Sequence, residues 1–134
     1  MTKQYLDNLT YRIIGAAIEV HKNLGPGLLE SAYQICLEHE LYLQGINFIS
    51  QPTVPIFYKD IELESTLRCD LLIANCVVVE LKAVDAVKSI FHAQLLTYMK
   101  LLKKPQGLLI NFFTDNIVKS MKPFVNEYFN LLPD

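Results

Sequence analysis

The chain has 134 residues, a little over half of them apolar and only 19% charged, which allows one domain with a sizeable core and excludes a disordered tail. A net charge of −2 excludes a grip on long nucleic acid by a strongly basic face alone; cations or a partner would have to supply part of the positive charge. Three cysteines without a CxxC pair make neither a zinc site nor a disulfide framework, no apolar run reaches the roughly 20 residues of a bilayer span, and the polar N-terminus has no signal-peptide core, so the expected setting is the cytoplasm, away from membranes.

Leu6, Leu9, Ile13, Ala17, Val20 and Leu24 recur at helical spacing, and Gly25-Pro26-Gly27 ends that first helix. A second helix is predicted from about Leu28 to Leu43, with Gly45 as its stop. An extended stretch from Ile46 to Tyr58 follows, in which Pro52 and Pro55 favour an edge position. Lys59-Asp60 is the expected turn into a strand from Ile61 to Ile73. Alternation there puts Ile61, Leu63, Leu67, Cys69, Leu71 and Ile73 on a buried face and Glu62, Glu64, Thr66, Arg68 and Asp70 on a polar one. Val77 to Lys82 is β-branched enough for a central strand. A third helix is predicted from about Asp85 to Lys103 and a fourth strand from Leu108 to Phe113. Beyond it, Ile117 to Met121 fits a strand or a helical turn, and Phe124 to Leu132 has helical spacing. The expected fold class is α/β, a mixed four-stranded sheet flanked by helices, in one domain of 134 residues whose core is 1–113 and whose extension is 114–134.

Glu80-Leu81-Lys82 is the anomaly. Two residues apart on a core strand, Glu80 and Lys82 share a face, and burying either charge unpaired costs several kcal/mol. A simple ion pair would satisfy them. Asp70 offers another answer. If Asp70 opposes Glu80 across a hairpin with the three-residue loop Ala74-Asn75-Cys76, two carboxylates stand side by side. A two-residue loop would set Asp70 beside Val79 instead. Adjacent carboxylates call for a cation, and Mg²⁺ or Mn²⁺ suits oxygen ligands and phosphate substrates. Lys82 could then position or help deprotonate a metal-bound water, or offset charge developing on a phosphoryl group. Gln94, inside the apolar stripe of Val87, Phe91, Tyr98 and Leu101, needs a hydrogen-bond partner that a carboxylate, a metal-bound water or Lys82 could provide. Glu30 lies where a helix dipole favours a carboxylate anyway, on a polar stripe with Gln34 and Glu38. His92, close to Gln94, is a candidate substrate contact.

Several segments carry a resemblance: Gly27-Leu28-Leu29-Glu30-Ser31-Ala32-Tyr33, Arg68-Cys69-Asp70-Leu71-Leu72-Ile73, Val79-Glu80-Leu81-Lys82-Ala83, His92-Ala93-Gln94-Leu95-Leu96-Thr97-Tyr98 and Gly107-Leu108-Leu109-Ile110-Asn111-Phe112. Together, from about Leu9 to Phe113, they resemble the GxxExxY proteins, a family similar to the PD-(D/E)XK nuclease superfamily. The resemblance implies an αβββαβ core with an extra N-terminal helix and a Mg²⁺-dependent nuclease (Mn²⁺ as a substitute) cleaving DNA or RNA. It makes Asp70 the first motif acid, Glu80 and Lys82 the ExK pair, Gln94 and Tyr98 a QxxxY helix motif, and Glu30 a further acid. Catalytic residues are then Asp70, Glu80, Lys82, Gln94 and Glu30, metal ligands Asp70, Glu80 and Glu30, and candidate substrate contacts Tyr98, Tyr33, His92 and Arg68. Cys69 stands where the superfamily's name has proline. The alternative is a nuclease-fold module that binds nucleic acid or a protein without turnover. A homodimer joined through Phe124, Tyr128, Phe129 and Leu132 is a further expectation.

Overall fold

Thr2 opens the first helix by accepting the Tyr5 N–H on its hydroxyl, and α1 (Lys3–Leu24) ends at Gly25, whose φ of +72° suits glycine. The computed structural model describes residues 1–134. The apolar stripe of α1 is buried from Leu6 to Val20 and frays at Leu24, which is exposed. α2 (Glu30–Leu43) starts two residues later than its periodicity suggests and packs Tyr33, Leu37 and Leu41 into the same cluster. Neither these helices nor any other is long and apolar enough to cross a membrane.

The next segment departs from expectation. β1 (Phe48–Ser50) is followed by a separate hairpin of β2 (Ile56–Tyr58) and β3 (Ile61–Leu63), and only then by β4 (Leu71–Ile73). The long strand expected over residues 61–73 is therefore broken. Paired residue numbers sum to 121 at Phe48 with Ile73 and at Thr53 with Arg68, but to 119 at Ile56 with Leu63. Two extra residues are thus taken up between Leu63 and Arg68, opposite Pro55, which has no N–H to continue the ladder. The expected alternation does not hold along this segment. Ile61 and Leu63 are exposed rather than buried, and Cys69 packs with Leu72 and Val78 rather than with Leu71 and Ile73.

β5 (Val77–Lys82) pairs antiparallel with β4. α3 (Ser89–Leu102) crosses over to β6 (Gln106–Asn111), which lies parallel to β5. α3 begins four residues later than predicted, after a segment whose Val84 is bound to Asn111, described below. β6 likewise begins and ends two residues early, leaving Phe113 outside the strand. α4 (Ile117–Ser120) is the helical turn; β7 (Met121–Val125) then joins the antiparallel edge of β6, before α5 (Glu127–Asn130). The mixed sheet therefore has five strands, β1-β4-β5-β6-β7, not four. Pro123 masks β7 in the sequence and is tolerated because that strand is an edge. Phe124, Phe129 and Leu132, expected to dock a second copy, pack on the chain's own two clusters.

Helices α1 and α2 cover one face of the sheet, against Leu71, Ile73, Val77, Val79, Leu81, Leu108 and Ile110. α3 covers the other, setting Leu95, Tyr98 and Met99 against Leu72, Val78 and Leu109. Its close approach needs Gly107, where a Cβ would stand 2.6 Å from Met99 Sδ and 3.0 Å from Leu95 Cδ1. Gly107→Val is expected to lower the unfolding free energy by about 2–3 kcal/mol through overpacking. Urea denaturation measures it, and an unchanged midpoint would disprove the tight fit.

Candidate functional site

The site begins with the hairpin between β4 and β5. Leu71 pairs with Val79, Leu72 with Val78 and Ile73 with Val77, so Ala74-Asn75-Cys76 is the loop and Asp70 stands opposite Glu80. The loop works because Ala74 and Asn75 take left-handed backbone (φ 50° and 58°), a conformation asparagine tolerates well. Of the two registers open to the sequence, this is the one that brings the acids together. Val78, Glu80 and Lys82 alternate onto the α3 face, with Val78 in its core and Lys82 reaching Phe91 of that helix.

Each acid is held by the other strand's backbone. The Asp70 N–H donates to Glu80 Oε1 at 2.9 Å, and the Leu81 N–H donates to Asp70 Oδ2 at 2.7 Å. The Asp70 carbonyl accepts from the Gln51 N–H and from Gln34 Nε2, both at 2.9 Å. One oxygen of each carboxylate, Asp70 Oδ1 and Glu80 Oε2, is left without a protein donor and reaches solvent.

Burial makes this costly. Glu80 is 6% exposed, and burial followed by the neighbouring Asp70 charge pushes its carboxyl up to about 8, against the Asp70 N–H and Lys82. Asp70 is also raised by burial, with the Leu81 N–H and Lys82 opposing. Glu30, an exposed residue at the first position of α2, is raised by partial burial, with Lys82 lowering it and Asp70 raising it further. Tyr98, 3% exposed, has its hydroxyl pushed up to about 12 by burial, Glu80, Cys69 and Asp70. Lys82 makes no ion pair within 4.0 Å; its ammonium stands 4.4 Å from the centroid of the Phe91 ring. The simple Glu80–Lys82 ion pair is thus not what satisfies these residues.

No three His, Cys, Asp or Glu side chains converge as a ready-made metal cage. Two carboxylates with an oxygen each to spare are nevertheless the hard-oxygen donor set that a divalent cation takes, its shell completed by water and phosphate. A cation would also relieve the like-charge repulsion that raises Glu80.

Asp70 and Glu80 are thus brought together with Lys82 on the same face, and Glu30 and Tyr98 stand near enough to feel their charge. Gln94 lies on the same stripe of α3 as Phe91 and Tyr98, half-buried, and its amide has no hydrogen-bond partner within the protein. Arg68 is exposed and flanks, with Gln51, Ile56 and Leu67, a groove that ends at Asp70. Two candidate contacts lie elsewhere. Tyr33 is fully buried, stacked on Phe112 at 4.3 Å, with its hydroxyl donating to the Gly25 carbonyl and accepting the Leu28 N–H. It fastens the loop before Glu30 and has no surface for a substrate. His92 packs against Phe124 at 5.3 Å, on the β7 side of α3.

Two positioning residues escaped sequence reasoning. Gln34, 9% exposed, looked like part of a solvated stripe; its amide instead holds the Asp70 carbonyl and Glu38. Asn111, 5% exposed, is paired in register with Lys82, and its side chain binds both the N–H and the carbonyl of Val84, at 3.1 and 2.9 Å. Its signal was a lone amide closing an apolar run, a position that demands partners.

A family model described as the PD-(D/E)XK nuclease superfamily matches residues 7–124, eleven residues beyond the stretch recognised by motif and into β7. No curated protein and no solved structure matches the chain.

Proposed function

The chain belongs to the PD-(D/E)XK nuclease superfamily, and we propose that it hydrolyses phosphodiester bonds of DNA or RNA in a reaction that needs Mg²⁺, with Mn²⁺ as a substitute. The observation that carries this reading is the Asp70–Glu80 pair, each acid locked by a backbone amide and each keeping one oxygen free, with Lys82 on the same face.

Asp70 and Glu80 would hold the ion, with Glu30 completing its acidic side. Bound there, the cation supplies Lewis acidity and offsets the charge of the phosphate. Lys82 is free of ion pairs, so its ammonium is available to the phosphoryl oxygens as they gain charge. The unpartnered Gln94 amide orients Lys82 or the phosphate. Tyr98 keeps its proton beside the acids and can donate a hydrogen bond there.

Purified protein incubated with linear single- and double-stranded DNA and RNA tests the reading. Cleavage is expected in Mg²⁺ or Mn²⁺ and not in EDTA, and Lys82→Ala is expected to reduce it about 10²-fold. Cleavage indifferent to both Lys82→Ala and Asp70→Asn would remove the site. The net charge of −2 favours one other reading, a binding module without turnover. Oligonucleotide binding with no calorimetric sign of Mg²⁺ or Mn²⁺ at millimolar concentration would select it.

A further inference from the structure

Just past Lys82 the chain leaves the sheet, and there the segment 83–86, the start of α3 and Phe113 enclose a groove of ≈ 470 Å³. Its walls are Phe91, Phe113, Ala83 and Val84, with Lys88 and Asp85 exposed at the rim. Asn111 builds both sides of it. The same Oδ1 accepts the Val84 N–H at 3.1 Å and the Phe113 N–H at 3.3 Å. Phe113 is nevertheless 47% exposed, an aromatic face that nothing in the chain covers. Phe91 belongs to the groove and to the reaction site alike, because its ring also carries the Lys82 ammonium.

An open aromatic wall with a cation at its rim suits an unpaired nucleobase, whose faces are free to stack and whose phosphate needs a positive neighbour. A duplex keeps its bases stacked on one another and presents mainly backbone, for which this largely apolar groove has little to offer. Asp85 is the one acid in the lining, so the phosphate belongs at the Lys88 end. Resting on the nuclease reading of the adjoining site, we propose that this groove receives the nucleobase next to the cut phosphate, stacked on Phe113. The substrate is accordingly single-stranded at the point of cleavage.

The chain contains no tryptophan, so Phe113→Trp creates a single fluorescent reporter at the groove. Titration with a phosphorothioate dT 12-mer in Mg²⁺ is expected to quench its emission to saturation. A blunt duplex of mixed sequence is expected to leave the emission unmoved. Phe113→Ala should weaken binding of the single strand about tenfold, while Phe113→Tyr retains it. Thermal unfolding of all three variants within a few degrees of the parent shows that they are folded. The inference is overturned if the single strand binds without quenching, if Phe113→Ala binds it as the parent does, or if the duplex quenches equally. Failure of the nuclease reading looks different: neither form of nucleic acid binds and neither is cut, which removes both.

Discussion

Glu80→Gln is expected to make the cation-free protein more stable at pH 8 while reducing cleavage by about 10³-fold. The folded-state value of about 8 lies above the ordinary 4.5, chiefly because of burial and then Asp70. Between those values the folded chain holds a proton that the unfolded chain has released. The group's favourable contribution is therefore complete below about pH 4.5 and is lost as pH rises through about 8. The shift bounds the loss at roughly 5 kcal/mol, and relaxation with water entry reduces it to about 2–3 kcal/mol. Glutamine removes the titration yet keeps an Oε1 to accept the Asp70 N–H. Urea denaturation in EDTA should show the parent losing stability from pH 5 to pH 8 and the variant losing much less. Millimolar Mg²⁺ should restore the parent at pH 8 and do little for the variant. Equal pH dependence of the two proteins would contradict this electrostatic picture, and undiminished cleavage would contradict the proposed role of Glu80.

Phe112→Ala is expected to destabilise the fold by about 3–5 kcal/mol, a large share of the stability of a domain this size. The ring is fully buried and lies parallel to Tyr33, with centroids 4.3 Å apart and planes 8° apart. Its removal leaves a cavity and also frees Tyr33, whose hydroxyl binds both Gly25 and Leu28 across the loop that leads into Glu30. Stability should fall first, and any Mg²⁺ affinity that depends on Glu30 should fall with it. Tyr33→Phe separates the two effects, since it keeps the stack and loses the two hydrogen bonds, at about 1–3 kcal/mol. Denaturant midpoints of the two variants, compared with the parent, give the answer. A Phe112→Ala protein as stable as the parent would show that the stack contributes nothing.

The central hairpin was legible because its rules are local. Two-residue alternation puts Glu80 and Lys82 on one face, and the choice of loop length decides whether Asp70 meets Glu80; the observed loop is Ala74-Asn75-Cys76. Helical periodicity found the cores of α1, α2 and α3 for the same reason, with errors confined to their ends. The superfamily, too, was readable from short motifs spread along the chain, and the matched region extends from residue 7 to residue 124.

By itself, then, the sequence determined which residues carry opposite chemistry on neighbouring positions and which elements they ride on. Tertiary structure decided what those residues meet. Alternation could not reveal the bulge before Asp70, because the cost of breaking the strand depends on whether anything covers Ile61 and Leu63, and nothing does. A proline-bearing segment became β7 only because β6 offered it an edge. Gln34 and Asn111 looked like ordinary polar residues until packing buried them beside the backbone groups of Asp70 and Val84 that they bind. Tyr33, a motif residue, turned inward to fasten a loop, whereas Phe113, read as the end of a strand, was left facing a groove. Periodicity is a property of a few consecutive residues; burial and hydrogen-bond partnership are set by segments tens of residues away, and those contacts placed the supports around the two carboxylates.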